Sequence, residues 1–194
     1  QLLTGVILSV NIVKGGEFVL SISDYCGYRI RIMEREMDVT ISQRDDESYA
    51  AYRARVKRAY ESMIGARIYY VVRRINTDRK FAVGSRRIAD RIRSSIASHR
   101  KKDDMYVLTE GTEVPAMVMA VTRRSAFIDV FGVLVKININ QFSPNYISAV
   151  NDYLTVGQEV TAYVTKVERD EKENRTALNV TMRNDAKELE RQKE

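Results

Sequence analysis

The sequence predicts a mainly β protein with inserted helices, organised as two small five-stranded barrels joined by a basic helical connector. Three observations predict it: an internal repeat, short segments in which apolar residues alternate with polar ones, and a strongly basic stretch between the two copies.

The repeat is clearest where IGARIYYVVRRI (64–75) aligns with VGQEVTAYVTKV (156–167), so that Gly65, Ile68, Val72 and Ile75 fall on Gly157, Val160, Val164 and Val167. The offset is a constant 92. Downstream, FAVGSR (81–86) aligns with LNVTMR (178–183) after a longer loop, RDEKENR, in the second copy. Upstream, FVLSISDYCGYRIRI (18–32) and FIDVFGVLVKI (127–137) each read as a Phe opening an alternating strand, a turn glycine and a second alternating strand.

Within each copy the alternation has a period of two. Tyr28, Ile30 and Ile32 point one way and Arg29 and Arg31 the other, the pattern of a sheet wet on one face. About five such strands in so short a span leave two open edges unless the sheet closes, so a barrel is favoured. Residues 1–84 form the first barrel, 85–104 the connector, 105–185 the second barrel and 186–194 a polar tail.

Two segments break the β pattern. The first, about 42–63, opens at Ser42 with Asp45 three residues on, a start resembling a capping box. Its stripe of Tyr49, Tyr52, Val56, Tyr60 and Met63 is expected to pack on the barrel. The second, 85–104, places Ile88, Ile92 and Ile96 on one face and its basic residues, Arg86 and Arg87 among them, largely elsewhere.

Charge points to a polyanionic partner. The chain carries +6 overall, but residues 51–102 hold 16 Lys or Arg against Glu61, Asp78 and Asp90, an excess of +13. Such a block marks either a nucleic-acid-binding face or a solvated helical surface. The lone Cys26 excludes an internal disulfide and suits a reducing compartment, so cytoplasmic localisation is expected. The apolar opening LLTGVILSV lacks the basic start and small-residue cleavage site of a signal peptide, and no membrane-spanning segment is expected.

Catalysis finds little support. His99 is the only histidine and lies in the connector, where it cannot anchor a Ser/His/Asp or Cys/His site. No GxxxxGK[ST] loop, GxGxxG turn or metal-ligand spacing occurs, so no cofactor, metal or small-molecule substrate is expected.

The second copy carries a resemblance. EGTEVPAMVMAVTRRSAFIDVFGVLVKININQFS followed by YLTVGQEVTAYVTKVERDEKENRTALNVTMR is similar to the ribosomal protein S-one type RNA-binding domain, with Gly111, Val114, Val118, Ala126, Phe127, Asp129, Gly132, Val156, Gly157, Gln158, Glu159, Val160 and Val164 fitting its pattern. The first copy resembles a divergent form of the same unit. The tandem arrangement also resembles proteins of mobile genetic elements and phages of Gram-positive bacteria.

This resemblance implies a five-stranded barrel of the oligonucleotide-binding (OB) type that binds single-stranded RNA by aromatic stacking and by basic and polar contacts. It places the stacking ring at Phe127, and at Phe18 in the first copy; the second aromatic of the pattern is Arg124 here, its histidine Asn138 and its aspartate Glu168. Its arginine at the start of the last strand falls near Arg175. Stacking should therefore be weaker, and electrostatic contact more important, than in members that keep both rings.

Strand parity supports Phe127 without the resemblance. Ala126, Ile128 and Val130 share the core face, which leaves Phe127 and Asp129 outside. Arg123, Arg124, Lys136, Arg175 and Arg183 are candidates to surround that ring, as are Arg29, Arg31, Arg86 and Arg87 for the first copy and connector. The expected partner is single-stranded RNA ahead of single-stranded DNA, within a ribosome or another nucleoprotein assembly. The competing reading is a protein-docking adaptor that uses the Tyr-rich helix 42–63 as its interface.

Overall fold

In a computed structural model of the chain, which describes residues 1–142, 147–170 and 175–183, the alternating segments form strands and the chain divides into two units, Gln1–Asp90 and Arg91–Glu194. The first unit is a closed barrel of β1 (Leu3–Ile12), β2 (Phe18–Tyr25), β3 (Tyr28–Met33), β4 (Arg67–Asn76) and β5 (Phe81–Ser85), ordered β1-β2-β3-β5-β4. All its ladders are antiparallel except β3 with β5. This is the expected OB-type topology, and its closure leaves no free edge. Ile7, Leu20, Ile22, Ile30, Ile32, Ile68 and Tyr70 fill the interior.

Helix α1 (Tyr49–Glu61) packs on this barrel through Val56 and Tyr60, with Tyr60 edge-on to Phe18 at 6.1 Å between ring centroids. Its start corrects the expectation: the cap is Ser48, whose Oγ accepts from the Ala51 N–H at 3.2 Å, not Ser42. Residues 42–48 are non-helical, tied to α1 because Arg55 donates to Glu47 at 2.6 and 2.9 Å and to the Ser42 carbonyl at 2.8 Å. Of the predicted stripe, Tyr49 is exposed and Tyr52 half-buried.

Helix α2 (Arg86–His99) ends sooner than the predicted 104, and its first five residues belong to the first unit. KKDD, expected as its continuation, instead opens a hairpin of β6 (Lys101–Lys102) and β7 (Met105–Tyr106) turning on Asp103 and Asp104, both at positive φ. A two-residue turn of this type needs positive φ at both positions, which aspartate tolerates better than most residues. The buried residues of α2 are Arg86, Ala89, Asp90 and Ser98, while Ile92 and Ile96 are exposed, contrary to the isoleucine stripe.

The second unit is a five-stranded sheet in the order β10-β9-β8-β11-β12, with β8 Glu113–Val121, β9 Ser125–Val130, β10 Val133–Asn138, β11 Glu159–Asp170 and β12 Arg175–Thr181. Its end strands meet where the Met182 N–H and the Thr181 hydroxyl both donate to the Gln141 carbonyl. Val114, Val118, Ala126, Ile128, Val130, Ile137, Ala162, Val164 and Val180 form its core.

The repeat extends to irregularities that periodicity does not reveal. β4 is bulged between Val72 and Arg74 and β11 between Val164 and Lys166, at the same offset of 92 as the aligned sequences. β1 and β8 also share a bulge, at Ile7/Ser9 and Val118/Ala120. Beyond it Ser9 pairs with Ser21, as Ala120 pairs with Phe127. Across the next ladder Ser21 faces Arg31, as Phe127 faces Lys136. The counterpart of Phe127 is therefore Ser21, not Phe18.

Candidate nucleic-acid interface

The candidate site lies on the β9–β10 hairpin. The hairpin turns on Phe131 and Gly132, both at positive φ, and the Gly132 N–H donates to Asp129 Oδ1 at 3.1 Å. Ala126, Ile128 and Val130 are fully buried inside. Phe127 lies on the opposite face, half-buried, directly across the ladder from exposed Lys136. The next outward pair is Ser125 with Asn138, whose N–H is held by Gln141 Oε1 at 3.0 Å.

Arg123 and Arg124 stand at the head of β9 with exposed side chains. Their backbone is fixed: the Arg123 carbonyl accepts from the Val150 N–H and the Arg124 carbonyl from the Ile139 N–H, each at 2.9 Å. A rigid base under flexible cationic side chains suits phosphate contact without a set sequence preference. Arg183, just past β12, donates its N–H to the Gln141 carbonyl at 3.2 Å and so reaches the Asn138 end of β10.

The remaining candidates separate from this group. Glu168 lies on β11 opposite Ala177, exposed, in an ion pair with Lys166. Arg175 begins β12, as the pattern requires, but its side chain lies outside the described residues, as does the tail from 186. Two candidates are corrected outright by burial. Phe18 is 2% exposed, with the Arg53 guanidinium 4.2 Å from its ring centroid and Tyr60 at its edge, so no base can stack on it. Arg86 is 1% exposed and donates to Asp90 at 2.8 Å, so it cannot reach a phosphate. Arg87 keeps a partly exposed side chain, paired with Glu36 at 3.4 Å, while Arg29 and Arg31 are exposed.

Asp129 has the predicted orientation but not the predicted exposure. It is 5% exposed because Arg93 of α2 spans its carboxylate with two hydrogen bonds of 2.8 and 3.2 Å. Parity alone could not find Arg93, since its partner lies 36 residues away. The same helix is fastened at its end by Ser98, whose hydroxyl meets Thr176 Oγ1 at 2.6 Å and whose carbonyl accepts from Arg169 at 2.9 Å.

Other arginines of the basic segment are also neutralised. Glu34 holds Arg53 through hydrogen bonds of 2.7 and 2.9 Å; burial opposes ionisation of that carboxyl, but Arg53 and the Phe18 N–H hold it below the usual range. Glu47, held by Arg55, is pushed down to about 2. Among the described residues no three His, Cys, Asp or Glu side chains gather as a metal site, and no helix is long and apolar enough to cross a membrane.

Residues 107–177 match the family model of the S1 RNA binding domain. No curated protein sequence matches the chain. Among solved structures, the chain is similar to a crystal structure of an a/eIF2alpha–aDim2p–rRNA complex from Pyrococcus horikoshii OT3, with 22% identity, a TM-score of 0.33 and coverage of 44% of this chain and 52% of that one. It is also similar to a multidomain protein with nucleic acid binding domains from Streptococcus pneumoniae TIGR4, with 13% identity, a TM-score of 0.43 and coverage of 95% and 51%. The chain thus spans about half the length of these solved chains.

Proposed function

We propose, on the premise that residues 107–177 are an S1 RNA binding domain, that the chain binds single-stranded nucleic acid, RNA ahead of DNA, on the outward face of β9 and β10. Phe127 offers a ring for base stacking, and Arg123, Arg124, Lys136 and Arg183 contact phosphates, with Asn138 as a polar contact beside them. Half-exposed Phe127, directly across from Lys136, is the observation that carries this reading. A base presents a π face whatever its identity, so such a site binds without reading sequence. The function is binding rather than catalysis, and the setting is a nucleoprotein assembly.

The docking alternative keeps only part of its surface, because Val56, Tyr60 and Met63 of the Tyr-rich helix are buried while Tyr49 is exposed and Tyr52 half-buried. The test is titration of a fluorescent single-stranded oligoribonucleotide with the full chain and with Phe127→Ala. The expected loss is roughly 1–3 kcal/mol of affinity, the range for one base stack. Unchanged affinity in the folded variant would remove Phe127 from the site. No binding by the unaltered chain at low salt would remove the function.

A further inference from the structure

In the first unit the part of β2 that matches β9 carries no ring or cation at the position of Phe127. Its outward positions level with Phe127 and its neighbours are Val19, which is buried, then Ser21 and Ser23, neither ring nor cation; the exposed ring of Tyr25 lies past a register shift at the far end of the strand. The cations and rings stand around the barrel instead, along β3, β5 and β4. Across these ladders Arg29 pairs with Phe81 and Phe81 with Asn76; Arg31 pairs with Val83 and Val83 with Arg74. Ile30, Ile32, Ala82 and Gly84, on the other parity, are buried inside the barrel, so this row faces outward. None of its six residues is acidic.

The row is already organised. The Arg31 guanidinium lies 5.1 Å from the centroid of half-buried Phe81, and Lys80 lies 5.4 Å from the Tyr28 ring. Arg29 donates to the Arg79 carbonyl at 3.2 Å, and its N–H donates to the Lys80 carbonyl at 3.1 Å, which fixes the adjoining turn. Arg53, Arg55, Arg86 and Arg87 of the same unit all hold carboxylates. Among the described residues Arg29, Arg31, Arg74 and Lys80 have no ion-pair partner. The β4–β5 turn carries a single carboxylate, Asp78.

We propose that Arg29, Arg31, Arg74, Lys80 and Phe81 form a second single-strand site on the first unit, displaced around the barrel from the position that Phe127 occupies in the second. A guanidinium resting on a ring keeps an outer face for a base plane and N–H donors for phosphate, whereas the paired arginines would first have to surrender a carboxylate. The proposal rests on the reading of the chain as a single-strand binder, and adds where the first unit takes part.

The test compares full chains. Arg29→Gln, Arg31→Gln and Arg74→Gln together should weaken single-stranded RNA binding about tenfold or more at low salt and flatten the log–log salt dependence by about 2, since each phosphate contact on a single strand contributes about 0.7. Phe81→Leu should weaken binding without changing that slope. In the unaltered protein, photocrosslinking of thiouridine-substituted RNA should give adducts within 79–83 as well as within 125–138. If the triple variant binds within about twofold of the original with the same slope, while Phe127→Ala still weakens binding, the strip is wrong and the second-unit site stands. If crosslinks fall only within 125–138, the strip is likewise overturned. If the unaltered chain binds no single strand, both readings fall.

Discussion

Replacing Phe18 by Ala tests the division of labour between the two units. In the first unit this ring sits inside the barrel, 2% exposed, edge-on to Tyr60 and covered by Arg53. Truncating a buried Phe costs about 3–5 kcal/mol. The upper part of that range is expected here, because an aromatic pair worth roughly 0.5–1.5 kcal/mol is lost with the packing. At about 0.05–0.15 kcal/mol per residue, a unit of this size has a total stability of roughly 5–13 kcal/mol, so the change removes a third or more of it. The melting midpoint of the first unit should fall by at least about 12 °C. Urea unfolding followed by tyrosine emission suits the measurement, because seven of the 11 tyrosines lie within Gln1–Asp90 and the chain has no Trp. Single-strand affinity of the folded variant should be unchanged. An unmoved unfolding transition combined with lost affinity would refute the reasoning and return Phe18 to a binding face.

Asp129→Asn should destabilise the second unit by roughly 1.5–3 kcal/mol, the range for hydrogen bonds to a charged group, because it weakens the two bonds with which Arg93 spans this carboxylate, measured by the same unfolding curves. Tyr70→Phe should leave stability unchanged or raise it by up to about 1 kcal/mol, because the buried Tyr70 hydroxyl has no hydrogen-bond partner among the described residues; a loss of that size in urea unfolding would show a partner. The Glu47–Arg55 pair sets an acid limit. Its carboxyl is lowered from 4.5 to about 2, so the stability lost in Glu47→Gln should be constant above about pH 4.5 and vanish as pH falls through 2. A difference that grew on acidification would reverse the sign.

Much of the architecture was legible in the sequence, and the misreadings share a physical origin. Alternation and turn residues located eight of the ten strands, β1 being missed and β8 coming from the family resemblance, and the offset of 92 aligned β4 with β11 because both keep the same bulge. Parity on β9 was equally legible: three consecutive inward residues are fully buried and Phe127 is not. Phe18 misled because β2 is longer than β9, so matching the two phenylalanines slipped the register past Ser21, the position that the ladders equate with Phe127. Charge misled because an excess counted along the chain ignores partners from elsewhere: Glu34, Glu36, Glu47 and Asp129 all lie outside 51–102 and neutralise four of its arginines. Ser42 and Ser48 offer the same capping chemistry, and only the reach of Glu47 to Arg55 shows which starts the helix.

The attachments along α2 determine where this protein can be divided. Ser85 donates to Glu36 and Arg87 pairs with the same carboxylate, while Arg93 and Ser98 hold Asp129 and Thr176. A fragment ending at 84 would lose the first pair of attachments, and one beginning at 105 would lose the second and strand a buried aspartate. Junctions that spare all of these side-chain bonds, such as Asp90–Arg91, lie inside a helix, where a break severs backbone hydrogen bonds on both sides. Binding measured on separated halves would therefore report fragments damaged at one or the other of these fastenings, and assigning a role to each half calls for substitutions in the intact chain.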